Sequence, residues 1–351
     1  MSMKAIVISA FGPPETLVVK EVPKPAPTPK TALIRIHAFG INHAEMHMRR
    51  GEWAESVPIS GIECVGTVET CPGGEFSPGT PVAALMGGLG RTIPGSYAEY
   101  TVASVNNIVA LGTPGDELPM SWADVAALPE SYATAWTCLF RNLDLKAGQR
   151  LLIRGATSSF GRAAVNLAVD AGAVVTGTTR SESKFGELKR LGVTNVVLEG
   201  ANLGDRLQEQ GASGKFDAVL ELVGNSTVVE SLKLVRRDGR LCLAGWLGGL
   251  DPIQGPGPKP GFNPLLQMAS GVHFSFFGSF VFGSDEFPVS DVPLRDIIDK
   301  AAEGRFDARP WKVFGFGESG RCLALGRVEF EMCIGSWRRV RLEGRWLWLL
   351  K

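Results

Sequence analysis

A run of small and hydroxylated residues, Gly155-Ala-Thr-Ser-Ser-Phe-Gly161, follows an apolar stretch at 151–154 and leads into a helical pattern opening at Arg162. A tight strand-to-helix turn of this composition brings backbone amides and the positive end of a helix up to a phosphate. Gly155, Ala156 and Gly161 supply the positions where the backbone must come close. Thr157, Ser158 and Ser159 add hydroxyl donors, and Phe160 completes the turn. Only two glycines of the G-x-G-x-x-G pattern are present, so a purely structural turn is the alternative.

Nineteen positions past Gly161 stands Arg180, in the stretch Thr178-Thr-Arg-Ser-Glu-Ser-Lys184. Folds that prefer NAD place a carboxylate there for the ribose hydroxyls, whereas a guanidinium binds a 2′-phosphate bidentately and lies against adenine. With Thr179, Ser181 and Lys184 as further donors, NADPH is expected over NADH. The alternative leaves Arg180 and Lys184 as solvated charges and puts Glu182 at the ribose. At the other end of such a cofactor, two strand ends carry Val223 and Gly245. Backbone groups there reach the nicotinamide ribose, or the strands simply exit into loops.

Positioning these residues requires a parallel α/β sheet. Strands at 151–154, 174–178, 195–198, 218–223, 241–244 and 273–278, with helices at 162–171, 182–191 and 227–235, predict a doubly wound sheet of six parallel strands. Residues 1–122 differ: short β-type runs at 5–8, 32–38, 66–69, 81–85 and 97–103, broken by glycine and proline, predict an irregular, mostly β domain. The expected boundaries are 1–122 for that domain, 123–283 for the nucleotide-binding domain and 284–351 for a segment returning to the first. A glycine- and proline-rich connection at 255–261 lies where such sheets bind ligands, or is a plain surface loop.

Charge narrows the partners. Thirty-six basic residues balance 36 acidic ones, so no polybasic field attracts nucleic acid or an anionic membrane, and a small molecule is the expected partner. The first residues read as a strand rather than a signal peptide, and no apolar run reaches membrane-spanning length. Six scattered cysteines without a C-x-x-C pair suit reduced thiols and a cytoplasmic setting.

Further markers occur in order along the chain: Gly40-Ile-Asn-His-Ala-Glu45 with Arg50-Gly51, Gly61-Ile-Glu-Cys-Val-Gly66, Gly95-Ser-Tyr-Ala-Glu-Tyr100, and Ala127-Leu-Pro129 with Thr134-Ala-Trp136. With the glycine turn and Thr179-Arg-Ser181 they resemble the zinc-free quinone oxidoreductase-like branch of the medium-chain dehydrogenase/reductase superfamily, from residue 3 to about residue 316. The resemblance implies a GroES-like, mostly β substrate domain completed by the C-terminal segment, a Rossmann domain inserted between, a ligand cleft at their junction and a homodimer joined near 273–278.

Zinc-dependent relatives carry a cysteine ligand where this chain has Asn42, and Gly-His-Glu where it has Gly61-Ile-Glu63. Residues 72–137 contain no cysteine for a four-cysteine zinc lobe. Of the four histidines, His43 and His47 share a helical spacing, but no strong third ligand accompanies them, so no metal is expected. Hydride addition to a quinone or an α,β-unsaturated carbonyl compound spreads charge into a conjugated enolate and needs no Lewis acid. In that chemistry the resemblance makes Asn42 the donor to the substrate carbonyl. Thr134 would contact the nicotinamide and Tyr132 would shape the space beside it. Glu45, Trp53, Trp246 and Phe276 are expected around the substrate, and each of these residues has a structural role as its alternative.

The likeness stops after Phe316, where the family continues with an acidic helix and a closing strand. The arginine- and tryptophan-rich tail fits a shifted or unspliced reading frame; if it is genuine, the substrate domain is expected to lack its closing strand. Three other readings stay open: an NADPH-binding sensor or structural protein with little turnover, an enoyl thioester reductase, and a zinc alcohol dehydrogenase.

Overall fold

The computed structural model describes residues 1–212, 214–247, 251–253 and 262–316, and, as backbone strands, 333–336, 338–342 and 345–349. The connection at 255–261 and the tail at 317–332 lie outside the described residues. The chain divides into two compact units: Met1–Ala133 with Ser279–Lys351, and Thr134–Gly278.

In the first unit, β1 (Ser2–Ile8) and β2 (Leu17–Pro23) form an antiparallel pair. Strand β2, half exposed along its length, lacks the apolar alternation that would have marked it in sequence. The larger sheet is built around β3 (Thr31–Ile41), which pairs antiparallel with β4 (Glu63–Thr70). Gly66 lies on this seam, where a Cβ would stand 2.1 Å from the Arg35 carbonyl oxygen, so only glycine lets the strands close up. Strands β5 (Pro81–Leu85) and β7 (Ile108–Ala110) extend the sheet beyond β4, and β6 (Tyr100–Ser104) pairs with β3. Ile6, Ile34, Phe39, Val68 and Tyr97 are buried together as the core of this unit. Helices α1 (His43–Arg50) and α2 (Trp122–Val125) belong to this unit, and α3 (Pro129–Trp136) runs across its boundary directly into a π-helical turn at Thr137–Asn142 in the second unit.

The second unit is a six-stranded parallel sheet of β8 (Arg150–Arg154), β9 (Val174–Thr179), β10 (Asn195–Leu198), β11 (Phe216–Glu221), β12 (Val235–Leu243) and β13 (His273–Phe276). Their order, β10-β9-β8-β11-β12-β13, is the doubly wound arrangement expected from the strand pattern. The chain winds outward one way from β8 and then the other way from β11, so the topological switch falls between these two strands. Helices α4 (Ser159–Asp170), α5 (Phe185–Arg190), α6 (Leu203–Glu209), α7 (Val228–Leu234) and α8 (Pro264–Gln267) belong to it. Leu152, Phe216, Val219, Leu232 and Leu241 form its core.

Returning to the first unit, the chain forms α9 (Leu294–Ala302) and β14 (Lys312–Gly315). Strand β15 (Cys333–Ser336), from the atypical tail, lies between β14, in parallel pairing, and β3, in antiparallel pairing. The tail, expected to leave this sheet without a closing strand, thus contributes a strand to it, pairing along an edge of β3 that any extended backbone can satisfy. Strands β16 (Arg338–Leu342) and β17 (Arg345–Leu349) form a separate antiparallel pair.

Candidate functional site

Beyond β8 the chain turns sharply at Gly155, whose φ of 80° lies in the left-handed region that favours glycine. The Gly155 N–H donates to Thr178 Oγ1 at 3.1 Å and the Ala156 N–H to the Thr178 carbonyl at 3.0 Å, which ties the turn to the end of β9. Ser158 caps α4: its Oγ accepts the Gly161 N–H at 3.0 Å and donates to the Gly155 carbonyl at 2.8 Å. Ser159 and Phe160, in the first turn of α4, donate their backbone N–H groups to nothing among the described residues. A Cβ on Gly161 would stand 2.3 Å from the Gly155 carbonyl oxygen, so the turn closes only around glycine. The result is a helix N-terminus whose first two amides no described residue engages, the kind of end that can receive an anionic group.

At the end of β9, Thr179 Oγ1 lies 3.4 Å from Thr157 Oγ1 and accepts the Ser181 N–H at 3.3 Å. Arg180 and Ser181 are exposed. Arg180 has no hydrogen bond or ion pair among the described residues, whereas Lys184 reaches Glu187 at 3.4 Å, beside the Arg162–Glu187 pair at 3.1 Å. Of the two cations expected at a 2′-phosphate, Arg180 is thus the uncommitted one.

Under this turn lies a polar network that the sequence reading missed. Arg154, the last residue of β8, is fully buried. Its guanidinium donates to both Glu199 oxygens, to Glu230 at 3.1 Å, to Ser231 Oγ at 3.1 Å and to the Thr227 carbonyl at 3.3 Å, and Glu221 lies 3.8 Å away. Glu199 in turn accepts the Thr178 hydroxyl at 2.6 Å. Glu221 accepts the Val223 N–H at 2.8 Å and the Gly224 N–H at 3.1 Å. Burial pushes the Glu199 carboxyl up, but the Arg154 hydrogen bonds and charge outweigh it and hold the group below the ordinary range. Burial raises Glu221, against the pull of Arg154 and of its hydrogen-bond donors. The available signal was an arginine ending an otherwise apolar, buried strand, which demands carboxylates nearby.

The end of β12 approaches that of β11 so closely that a Cβ on Gly245 would stand 2.5 Å from the Leu222 carbonyl oxygen. Trp246 follows, packed edge-on against Phe276 with ring centroids 5.4 Å apart.

In the first unit, Asn42 stands at the N-terminus of α1. Its Nδ2 donates to Glu63 Oε1 at 2.8 Å, which leaves one amide N–H uncommitted among the described residues. Glu45 is buried with both oxygens used on backbone, accepting the Asn42 N–H at 2.7 Å and the Ile62 N–H at 3.1 Å, so it shapes the turn from beneath. Glu63 also accepts the Glu130 N–H at 2.8 Å. Burial raises both carboxyls to about 8, helped at Glu63 by the nearby Glu130 charge. His43 is lowered to about 4, by burial first and then by His47 and Arg50. Trp53 stacks on His47 with ring centroids 5.6 Å apart. Tyr132 is buried against Phe306 at 5.7 Å, and Thr134, two residues on, is buried as well.

Zinc does not fit these residues. The neutral Asn42 amide points an N–H at Glu63, Ile62 offers no lone pair, and no group of three or more possible ligands occurs among the described residues. No helix among the described residues is long and apolar enough to cross a membrane.

Comparison with known proteins agrees with this architecture. Residues 28–113 match the alcohol dehydrogenase GroES-like domain, and residues 160–294 match the family described as zinc-binding dehydrogenase. The chain is 30% identical over 260 residues to a quinone oxidoreductase of Rattus norvegicus, covering 71% of this chain and 75% of that one. It is 29% identical over 353 residues to a quinone oxidoreductase of Mus musculus, covering 92% and 98%. Among solved structures it is similar to a quinone oxidoreductase from Coxiella burnetii, with a TM-score of 0.76 at 21% identity over 96% of this chain and 100% of that one. A mycobacterial protein complexed with NADPH gives 0.78 at 22% identity over 95% and 100%. These structural likenesses show the shared fold.

Proposed function

Since the chain belongs to the quinone oxidoreductase-like branch of the medium-chain dehydrogenase/reductase superfamily, an oxidoreductase family that works with a nicotinamide cofactor and small molecules, we propose that it reduces a quinone or an α,β-unsaturated carbonyl compound with NADPH. The observation that carries this reading is the pairing of the closed turn at 155–161 with an exposed, uncommitted guanidinium at Arg180.

NADPH, when bound, would supply the hydride. The amides of Ser159 and Phe160, with the hydroxyls of Thr157 and Ser159, would hold its diphosphate, while Ser158 holds the turn that presents them. Arg180 would grip the 2′-phosphate, with Thr179, Ser181 and Lys184 beside it, and Val223 and Gly245 would meet the nicotinamide ribose. Asn42 would donate its second amide N–H to the substrate carbonyl as negative charge gathers there, held in orientation by Glu63. Thr134 and Tyr132 would position the nicotinamide side, and Trp53, Trp246 and Phe276 would offer apolar surface to a conjugated ring. Edge strand β13 is the proposed seam of a homodimer, which sedimentation of the wild type and of a Phe276→Lys variant checks.

The test is consumption of NADPH and of NADH by purified protein against quinones, enals, enones and enoyl thioesters. Turnover of quinones or enones with NADPH preferred is the expected result. A protein that binds neither nucleotide by calorimetry would overturn the reading, and one that binds NADPH without oxidising it would be a sensor.

A further inference from the structure

The loop that leaves β5 turns through left-handed backbone at four of its first five residues: Met86, with φ 60°, and Gly87, Gly88 and Gly90. It is pinned at its far end. The Gly90 N–H donates to the Ile93 carbonyl at 2.9 Å, and the Gly90 carbonyl accepts the Val57 N–H at 3.3 Å. Gly95 packs against Ser60 and Gly61, the segment that leads into Glu63. The side chain this rigid loop presents is Arg91.

Arg91 lies against two rings, its Cζ 5.7 Å from the Trp53 centroid and 5.9 Å from that of Phe280. One end of the guanidinium donates to the exposed Glu55 at 2.9 Å. Its Nε is buried and has no hydrogen-bond partner among the described residues. Nη1 takes no hydrogen bond among the described residues either and is not buried, so it is the donor that a bound molecule could reach. Trp53 stacks on His47, and His47 on His43, which adjoins Asn42 in the chain. The rings of His43, His47 and Trp53 thus form a row that ends at the guanidinium. Phe280 is 56% exposed, which leaves a flat apolar surface beside the cation.

We propose that Arg91 is a second anchor for the substrate, donating to an oxygen at the far end of a planar conjugated acceptor whose reacting carbonyl is held at Asn42. This rests on the reductase reading and narrows its substrates to two-ended acceptors. The far oxygen is the second carbonyl of a quinone or a carboxylate carried on an aromatic enal or enone. A simple enal has no oxygen to give Arg91.

The test compares full-length wild type, Arg91→Met and Phe280→Ala in NADPH oxidation with menadione, para-carboxycinnamaldehyde and cinnamaldehyde. In Arg91→Met the KM for the two-ended acceptors, taken relative to cinnamaldehyde, is expected to rise at least about tenfold with kcat much less affected. Phe280→Ala, at an exposed site, should move the same ratio by about threefold. A shift confined to the carboxylate identifies that ligand, and one confined to menadione identifies the second carbonyl; either supports the assignment. A readout free of turnover is calorimetric binding of naphthoate against acetylnaphthalene, where wild type should prefer naphthoate and Arg91→Met should not. Equal KM changes for all three acceptors, with no naphthoate preference in wild type, overturn the assignment. If wild type oxidises no NADPH yet keeps a naphthoate preference that the variant loses, the reductase reading falls and Arg91 stands.

Discussion

Arg180 carries an exposed guanidinium that no described residue engages, so a 2′-phosphate would gain its charge without first breaking an ion pair. Arg180→Gln is expected to weaken NADPH binding by roughly ten- to a hundredfold while leaving NADH within about twofold, read by fluorescence titration of both nucleotides. Lys184 already spends its charge on Glu187, so Lys184→Ala should cost less than about 1 kcal/mol in the same titration. In the proposed function Asn42 would act through its one remaining N–H. Asn42→Ala should lower kcat by roughly a hundredfold with the nucleotide Kd preserved, as expected for a donor aimed at developing charge.

At the scale of elements, the turn and the strand ends behave as one piece because Arg154 joins them. Its carboxylate partners come from the end of β10, from β11 and from α7, and through Thr178 and Val223 they hold the backbone on both sides of the turn at 155–161. Arg154→Met would strand three carboxylates around a neutral side chain, at a cost of roughly 3–5 kcal/mol measured by urea unfolding. A loss below about 1 kcal/mol would show that the network is not tight in solution. Gly161→Ala forces its Cβ to 2.3 Å from a carbonyl oxygen, so α4 must shift away from β8. Calorimetry on that variant should show nucleotide binding lost or weakened by more than about a hundredfold.

For the molecule as a whole, the two buried carboxyls of the first unit tie stability to pH. Glu45 and Glu63 titrate at about 8 in the fold against an ordinary value of 4.5. Between those values the folded chain holds protons that the unfolded chain has released, so stability falls as pH rises through the window. The full contribution is present below the unfolded value and is gone above about 8. Thermal midpoints should therefore drop from about pH 5.5 to about pH 8.5, and Glu63→Gln should flatten that slope even if its absolute stability is lower. A midpoint that climbs over the same range would mean that both carboxyls are ionised in the fold.

Much of this was legible in one dimension. Apolar runs of four to six residues bounded by glycine announce parallel strands, and the crowding around Gly161 that forbids a side chain is written as the glycine itself. Arg180 could be placed because its distance from the turn follows from one helix and one strand of ordinary length. Other features had no local cause. Arg154 looked like the ragged end of a strand until Glu199, Glu221 and Glu230, 45, 67 and 76 positions away, converged on it. Arg91 was one cation in a glycine-rich loop until Trp53 and Phe280 closed around it. Strand propensity and turn geometry act between neighbours and are therefore determined by the sequence alone. Which charge is buried, and what satisfies it, depends on contacts between distant segments, and only the tertiary structure decided that.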